Sequence, residues 1–191
     1  MVEKKLDMRI IKTHKALCET FITMLDEKKF EDITVNELCE RAMVRRATFY
    51  KHFADKYDFF SFFIQRMQQE FHAESVTYQQ EDAPYLYYVH MYEKVFDFFE
   101  SHQKMVTHIM NSNMFPTLIS LVSDEIYRNF LLTIKEDDKL LANLPISGET
   151  LASFYTGGIL QTLYQWLQSP KAKSKEELIK EVATLFACFR P

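Results

Sequence analysis

The chain has 191 residues, 47% of them hydrophobic and 26% charged, with a formal net charge of −4. That length can bury a sizeable core and that balance is ordinary for a soluble globular protein. Only 3 Gly and 5 Pro leave few turns and favour long helices. No stretch approaches the ~20 apolar residues of a membrane span. The opening Met-Val-Glu-Lys-Lys-Leu-Asp has no apolar signal core, so a cytoplasmic protein with no membrane partner is expected. Cys18, Cys39 and Cys188 are odd in number and lie in apolar helical patterns, which fits buried free thiols better than disulfides or metal ligands.

In chain order, a first helix is expected over about 6–27, where Ile10, Leu17, Phe21 and Met24 recur at helical spacing. Lys4, Lys5, Arg9 and Lys12 open it and oppose the helix macrodipole. They read either as a basic arm touching phosphate or as a solvated, frayed end. Phe30 and Ile33 then cross to two short helices within 34–56. Thr34 and Glu37 have the capping-box spacing, and Val35, Leu38, Cys39 and Ala42 form one apolar face. On the second of the two helices Phe49 and Phe53 face inward, leaving Arg45, Arg46, Thr48, Tyr50, Lys51 and His52 outward. Two small helices joined by a tight turn, the second bearing cations and hydroxyls, are the helix-turn-helix arrangement that enters a DNA major groove. Net charge alone opposes a polyanionic partner, but residues 1–56 carry 12 Lys+Arg against 10 Asp+Glu, whereas the rest carries 11 against 17. The mildly basic head can meet DNA while the acidic body faces away.

Ile33-Thr34-Val35, the Ala42 turn, Thr48-Phe49-Tyr50-Lys51-His52-Phe53 and Asp55-Lys56 together resemble the DNA-binding domain of the tetracycline-repressor (TetR) family. The resemblance implies an all-α fold of about nine helices. A three-helix DNA-binding domain over 1–54 would precede a helical effector-binding and dimerisation domain over 55–191. It implies a homodimer on a palindromic operator in double-stranded DNA, and a lysine at position 56 set against a backbone phosphate. Arg45 and Arg46 are placed at the groove mouth, where a guanidinium bonds guanine in bidentate fashion. Thr48 is suited to a base edge or a thymine methyl; Tyr50, Lys51, His52 and Thr34 are placed on the backbone. Two positions depart from the family pattern: Met43 stands where a turn glycine is usual, and Arg45 where a small hydroxyl cap is usual.

Asp55 is the expected N-cap of a fourth helix over about 55–79, whose Phe59, Phe60, Phe62, Phe63, Ile64, Met67 and Phe71 exceed one stripe and call for cover on two sides. Further helices are expected over about 84–100, 102–110, 115–135, 148–168 and 174–189, with a polar, mobile loop from Glu136 to Pro145. Between Tyr57 and Phe99 lie 14 of the chain's 28 aromatic residues. Methionines nearby add polarizable surface. Such a region reads as a plain helical core or as the wall of a concave effector site. The family places its ligand cavity there, and Phe63, Met67, Tyr88, Tyr92, Met110, Phe115, Phe154 and Tyr155 are the candidate effector contacts.

The last helix shows an apolar stripe of Leu178, Val182, Leu185 and Phe189 beside a second one of Ile179, Ala183 and Phe186. So apolar a terminal helix needs two partners, one of them a second subunit. Gly157 and Gly158 in mid-helix suggest close backbone approach or a kink. Leu151, Gly158 and Trp166 join Leu178, Val182, Leu185 and Phe189 as the candidate dimer interface. This Tyr155-Thr156-Gly157-Gly158 segment with its following tryptophan resembles one subgroup of TetR-like regulators. His90, His102 and His108 contain no i,i+4 metal pair. No metal, cofactor or catalytic residue is expected, because a nucleophile elbow, a phosphate loop and a His-Glu-x-x-His motif are all missing from the sequence. The resulting expectation is a ligand-responsive repressor with a small apolar or aromatic effector. The alternative is an activator, or a DNA-binding protein governed by a protein partner without a small-molecule effector.

Overall fold

The computed structural model describes residues 8–75, 85–136, 145–169 and 173–188. Among them are nine α-helices and no strand: α1 (Met8–Glu27), α2 (Val35–Arg41), α3 (Arg46–His52), α4 (Lys56–Ser75), α5 (Tyr85–Ser101), α6 (Gln103–Met110), α7 (Phe115–Glu136), α8 (Gly148–Gln168) and α9 (Lys175–Cys188). A single 3-10 turn, Phe30–Asp32, precedes α2. The all-α expectation holds, and each expected helix is present within a few residues of its expected ends. Residues 137–144 of the expected Glu136–Pro145 loop and Phe189 lie outside the described residues, as do the side chains of Tyr85, Tyr87, Tyr88 and Phe186.

The chain divides into two compact units. The first runs through Phe63 and adds His102–Thr117; the second contains Ile64–Ser101 and everything from Leu118 onward. The first unit thus contains the 1–54 segment expected to bind DNA, together with the opening turns of α4 and the whole of α6.

The core of the first unit is aromatic. Phe21, at the centre of the inner face of α1, meets Phe30, Phe59 and Phe63 edge-on at 6.2, 5.3 and 5.3 Å. Phe49 and Phe53 of the α3 segment close against Phe59 at 5.7 and 5.1 Å. Each buried phenylalanine contributes roughly 1.5–3 kcal/mol by leaving water. The α4 segment is covered on two sides here, as its excess of phenylalanine predicts: Phe59 and Phe63 face α1, and Phe62 lies against Phe53 and His14.

Polar contacts fix α6 in this unit. Asp26, in the last turn of α1, accepts the Met105 amide at 3.0 Å and so caps the start of α6, where His102 supplies no cap of its own. The His108 Nδ1–H donates to the Leu25 carbonyl at 2.8 Å, which fixes the tautomer, since a carbonyl can only accept. Beyond α6, the Glu31 carboxylate accepts from the Ser112 hydroxyl and, at 2.9 Å, from the Asn113 amide. These bonds hold the Glu31 carboxyl below its ordinary range, with the Ser112 contact contributing most.

In the second unit, Val89, Tyr92 and Phe96 of α5 pack with Leu163 and Trp166 of α8 and with Leu178, Ile179 and Val182 of α9. Lys175 pins the start of α9 to the end of α5 through Asp97 at 2.6 Å and Glu100 at 3.0 Å. A smaller cluster joins α7 to α8, where the Phe130 and Tyr155 rings stack at 5.7 Å.

Candidate nucleic-acid interface

Local sequence builds the helix pair. Thr34 caps α2 by accepting the Glu37 amide at 3.2 Å, half of the expected capping box. The other half is absent because the Glu37 carboxylate is taken by Lys28, at 2.5 and 2.6 Å. Arg41 grips Glu27 through two bonds of 2.5 and 2.6 Å, so the end of α1 is tied to both ends of α2. The helix stops in a Schellman motif: the Val44 amide bonds the Cys39 carbonyl at 2.8 Å and the Met43 amide bonds the Glu40 carbonyl at 3.1 Å. That geometry needs a left-handed residue, and Met43 supplies it with φ 54. Its side chain is 94% exposed.

Three residues after Met43, α3 begins. Arg45 is its N-cap in extended conformation and makes no side-chain cap bond, as expected from the missing hydroxyl. Arg45, Arg46, Tyr50 and Lys51 are exposed, and Thr48 is half-buried. The Arg46 guanidinium stands over the Tyr50 ring, 6.0 Å from its centre. Phe49 is fully buried beneath them and anchors the helix to the core. These exposed groups form a continuous polar and cationic face on one short, rigidly seated helix.

Two residues differ from expectation. The Lys56 ammonium points inward and donates to the carbonyls of Phe30, Glu31 and Ile33 at 3.1, 3.2 and 3.1 Å, above the Phe30 ring at 4.7 Å. All three of its protons are therefore committed, and the expected phosphate contact would have to break this cage. Burial holds its pKa below the ordinary lysine value, with Glu31 and Asp32 opposing the shift. The His52 ring also turns toward α1, edge-on to His14 at 5.0 Å, rather than lying wholly on the outer face. Ala47, exposed between Arg46 and Thr48, carries no polar group and so gives no signal of contact by its chemistry. The usable signal is its position: a small side chain in the first turn of a recognition helix allows close backbone approach.

The candidate effector residues divide between the units. In the first, Phe63 is buried against Phe21, and Met110 and Phe115 are half-buried. In the second, Tyr92 is buried, Met67 and Tyr155 are half-buried, and Phe154 is 61% exposed, so Phe154 points outward. The side chain of Tyr88 lies outside the described residues.

The candidate dimer residues need a correction. Leu151, Trp166, Leu178 and Val182 are buried within the chain's own second unit. The α9 stripe covers α5, so those side chains have almost no surface left for another subunit. Leu185 remains 57% exposed. Gly157 and Gly158 are exposed, and a Cβ built on either would meet nothing within 4 Å, so neither marks a close approach inside the chain. Phe189 lies outside the described residues.

Residues 22–61 match the family model of bacterial regulatory proteins of the tetR family, and residues 87–187 match that of a transcriptional regulator C-terminal region. The chain belongs to the TetR family. TetR-family proteins are transcriptional regulators that bind DNA, not enzymes, and the cationic α3 face lies inside the matched N-terminal segment. Over 65 residues, 34% of this TetR-family chain, it is 38% identical to the uncharacterized HTH-type transcriptional regulator YxbF of Bacillus subtilis (strain 168). The match spans only 17% of that relative's length.

Solved structures extend the likeness in fold to nearly the whole chain. A TetR-family transcriptional regulator from Syntrophomonas wolfei aligns over 92% of this chain and 93% of its own, with a TM-score of 0.65 and 16% identity. A fatty acid metabolism regulator from Clostridium perfringens aligns over 92% and 98%, with a TM-score of 0.54 and 18% identity. Reduced NemR of E. coli aligns over 90% and 96%, with a TM-score of 0.53 and 15% identity. At such identities the likeness is one of fold. No helix among the described residues is long and apolar enough to cross a membrane.

Proposed function

We propose that this TetR-family protein acts in the cytoplasm as a homodimeric repressor that binds a palindromic operator and releases it in response to a small, largely apolar or aromatic effector. The observation that carries the DNA half of this reading is the α3 face: Arg45, Arg46, Tyr50 and Lys51 exposed on a helix whose inner side is locked by Phe49. Arg46 and Thr48 read base edges, Arg45, Tyr50 and Lys51 hold the backbone, and Thr34 donates its hydroxyl proton to phosphate while its oxygen caps α2. His52 supports the face through its contact with α1.

A single head reads one half-site, so a palindrome requires a second subunit. The dimer face proposed here is the outward side of α8, with Phe154, Gly157 and Gly158, together with Leu185 of α9; these remain exposed after the chain has covered its own core. Effector binding in the second unit shifts α4, which continues without a break from the head, and so changes the spacing of the two recognition helices. Coupling of this kind is typically 1–3 kcal/mol. The activator alternative differs only in the sign of that coupling.

Selection from a random DNA pool by the purified protein tests the reading. Enrichment of an inverted repeat with half-sites about one helical turn apart is the expected result. A pool with no twofold-related sequence after several rounds would refute it.

A further inference from the structure

One cation of α3 is supported by the helix itself. Arg46 opens α3 and Tyr50 follows it by one turn. Helical side chains lean toward the N-terminus, so the Tyr50 ring comes up beside the guanidinium, whose carbon lies 6.0 Å from the ring centre. The ring is backed in turn. It meets Phe49 edge-on at 5.4 Å, and Phe49, fully buried, rests on Phe53 and Phe59 at 5.2 and 5.7 Å. A chain of aromatic contacts thus runs from the core of the first unit out to an exposed guanidinium.

Other cations are held in ways that occupy them. Arg41, Arg66 and Arg128 pair with the carboxylates of Glu27, Glu70 and Glu125, which an incoming acceptor must displace. Lys56 also lies over a ring, but its protons are committed to carbonyls. A π face restrains the Arg46 guanidinium without supplying an acceptor atom, so its N–H fork stays available for DNA. An exposed arginine gives up rotamer freedom when it meets a base, and here part of that ordering precedes binding. A phosphate, which a cation can approach from many directions, gains little from such restraint. Guanine gains most, because its O6 and N7 are adjacent acceptors that the planar fork matches in one orientation.

We propose that Tyr50 is a positioning residue whose ring sets the Arg46 guanidinium for bidentate bonding to one guanine of the bound sequence. The inference rests on the DNA-binding reading above and deepens it. It gives the Tyr50 ring a task separate from the backbone contact of the hydroxyl.

The full-length protein and its variants are compared on the sequence recovered from a random DNA pool, with each base pair changed in turn at fixed salt. Arg46→Ala is expected to abolish a preference for guanine at one position, about tenfold in the unaltered protein. Tyr50→Leu is expected to weaken that same preference about two- to fivefold, the worth of one exposed cation–π contact. In the Arg46→Ala background it should add nothing there. Tyr50→Phe keeps the ring and is expected to keep the preference, the lost hydroxyl lowering affinity alike for all sequences. An NOE between the Arg46 Cδ protons and the Tyr50 ring protons of the unaltered free protein is also expected, and it requires no variant to fold. A preference that survives Arg46→Ala, a base other than guanine at the affected position, or an undiminished preference in Tyr50→Leu overturns the inference. So does a missing NOE, or a loss in Tyr50→Phe equal to that in Tyr50→Leu. A Tyr50→Leu loss spread over every position overturns it too, because that marks a loosened α3. With an inverted repeat recovered from the pool, each of these results leaves the operator reading standing. A specific sequence without twofold relation refutes the homodimeric reading and leaves the guanine test in force on that sequence. A pool that yields no sequence overturns both.

Discussion

The Lys56 ammonium nitrogen lies 3.1 Å from the carbonyl oxygen of Ile33, and that contact closes a cage begun by the carbonyls of Phe30 and Glu31. The turn it holds leads directly into Thr34, so the lysine sets where α2 starts. Lys56→Gln is therefore expected to lower unfolding stability by about 1–3 kcal/mol, as lost bonds to a charged donor do. The dependence of DNA affinity on salt should be unchanged. Denaturant unfolding together with binding titrations at several salt concentrations measures both. A salt slope reduced by about one unit at unaltered stability would instead put the ammonium on a phosphate.

Met43 occupies a left-handed position that a side chain adopts at a cost of roughly 1–2 kcal/mol. Met43→Gly removes that cost and gives back part of it as extra freedom of the unfolded chain, so a net gain of about 1 kcal/mol is expected. The measurement is urea unfolding of the two proteins side by side; a loss of stability would show that the exposed methionine makes a contact worth more than the strain.

On α3 the predictions separate reading from holding. Arg46→Ala is expected to relax specificity at one base pair by about 1–3 kcal/mol; a salt slope lowered by about one unit with specificity intact would instead put the guanidinium on a phosphate. Ala47→Leu should reduce affinity for every operator sequence, because it thickens the helix where it enters the groove, and should leave stability nearly untouched at this exposed site. Affinity unchanged in both variants would remove α3 from the interface.

Acid should loosen the first unit. Ser112 and Asn113 hold the Glu31 carboxyl below its ordinary value of 4.5, and Arg41 does the same for Glu27. With a depressed folded-state pKa, each group stabilises the fold above about pH 4.5, and that contribution is lost as pH falls through the lower, folded value. Glu31→Gln should flatten the fall in stability below that pH. Urea unfolding of both proteins between neutral and acid pH shows it; parallel curves would mean the carboxylate contacts are not formed in solution.

The helix pair was legible because its signals are local. Thr34 before α2, Phe49 and Phe53 four apart, and Asp55 before α4 each act within one or two turns; Asp55 does accept the amides of Tyr57 and Asp58, at 2.8 and 2.9 Å. Where Lys56 points was not legible, because its acceptors lie more than twenty residues upstream and are backbone atoms, which carry no sequence signal. For Leu178, Ile179 and Val182, helical spacing revealed an apolar face and not what covers it. A second subunit and α5 of the same chain demand the same residues. Gly157 and Gly158 show the same limit: glycine permits close approach without saying to what, and within the chain the space beside both is open.

The bonds from Asp26 to the Met105 amide and from Glu31 to the Asn113 amide join residues about eighty positions apart. During synthesis, the residues of α2 and α3 leave the ribosome long before the segment that braces the end of α1 and the turn after it. A nascent chain that has reached only α4 carries the whole recognition helix without that brace. The brace supplied by α6 and the turn after it can form only once α5 and α6 have been made.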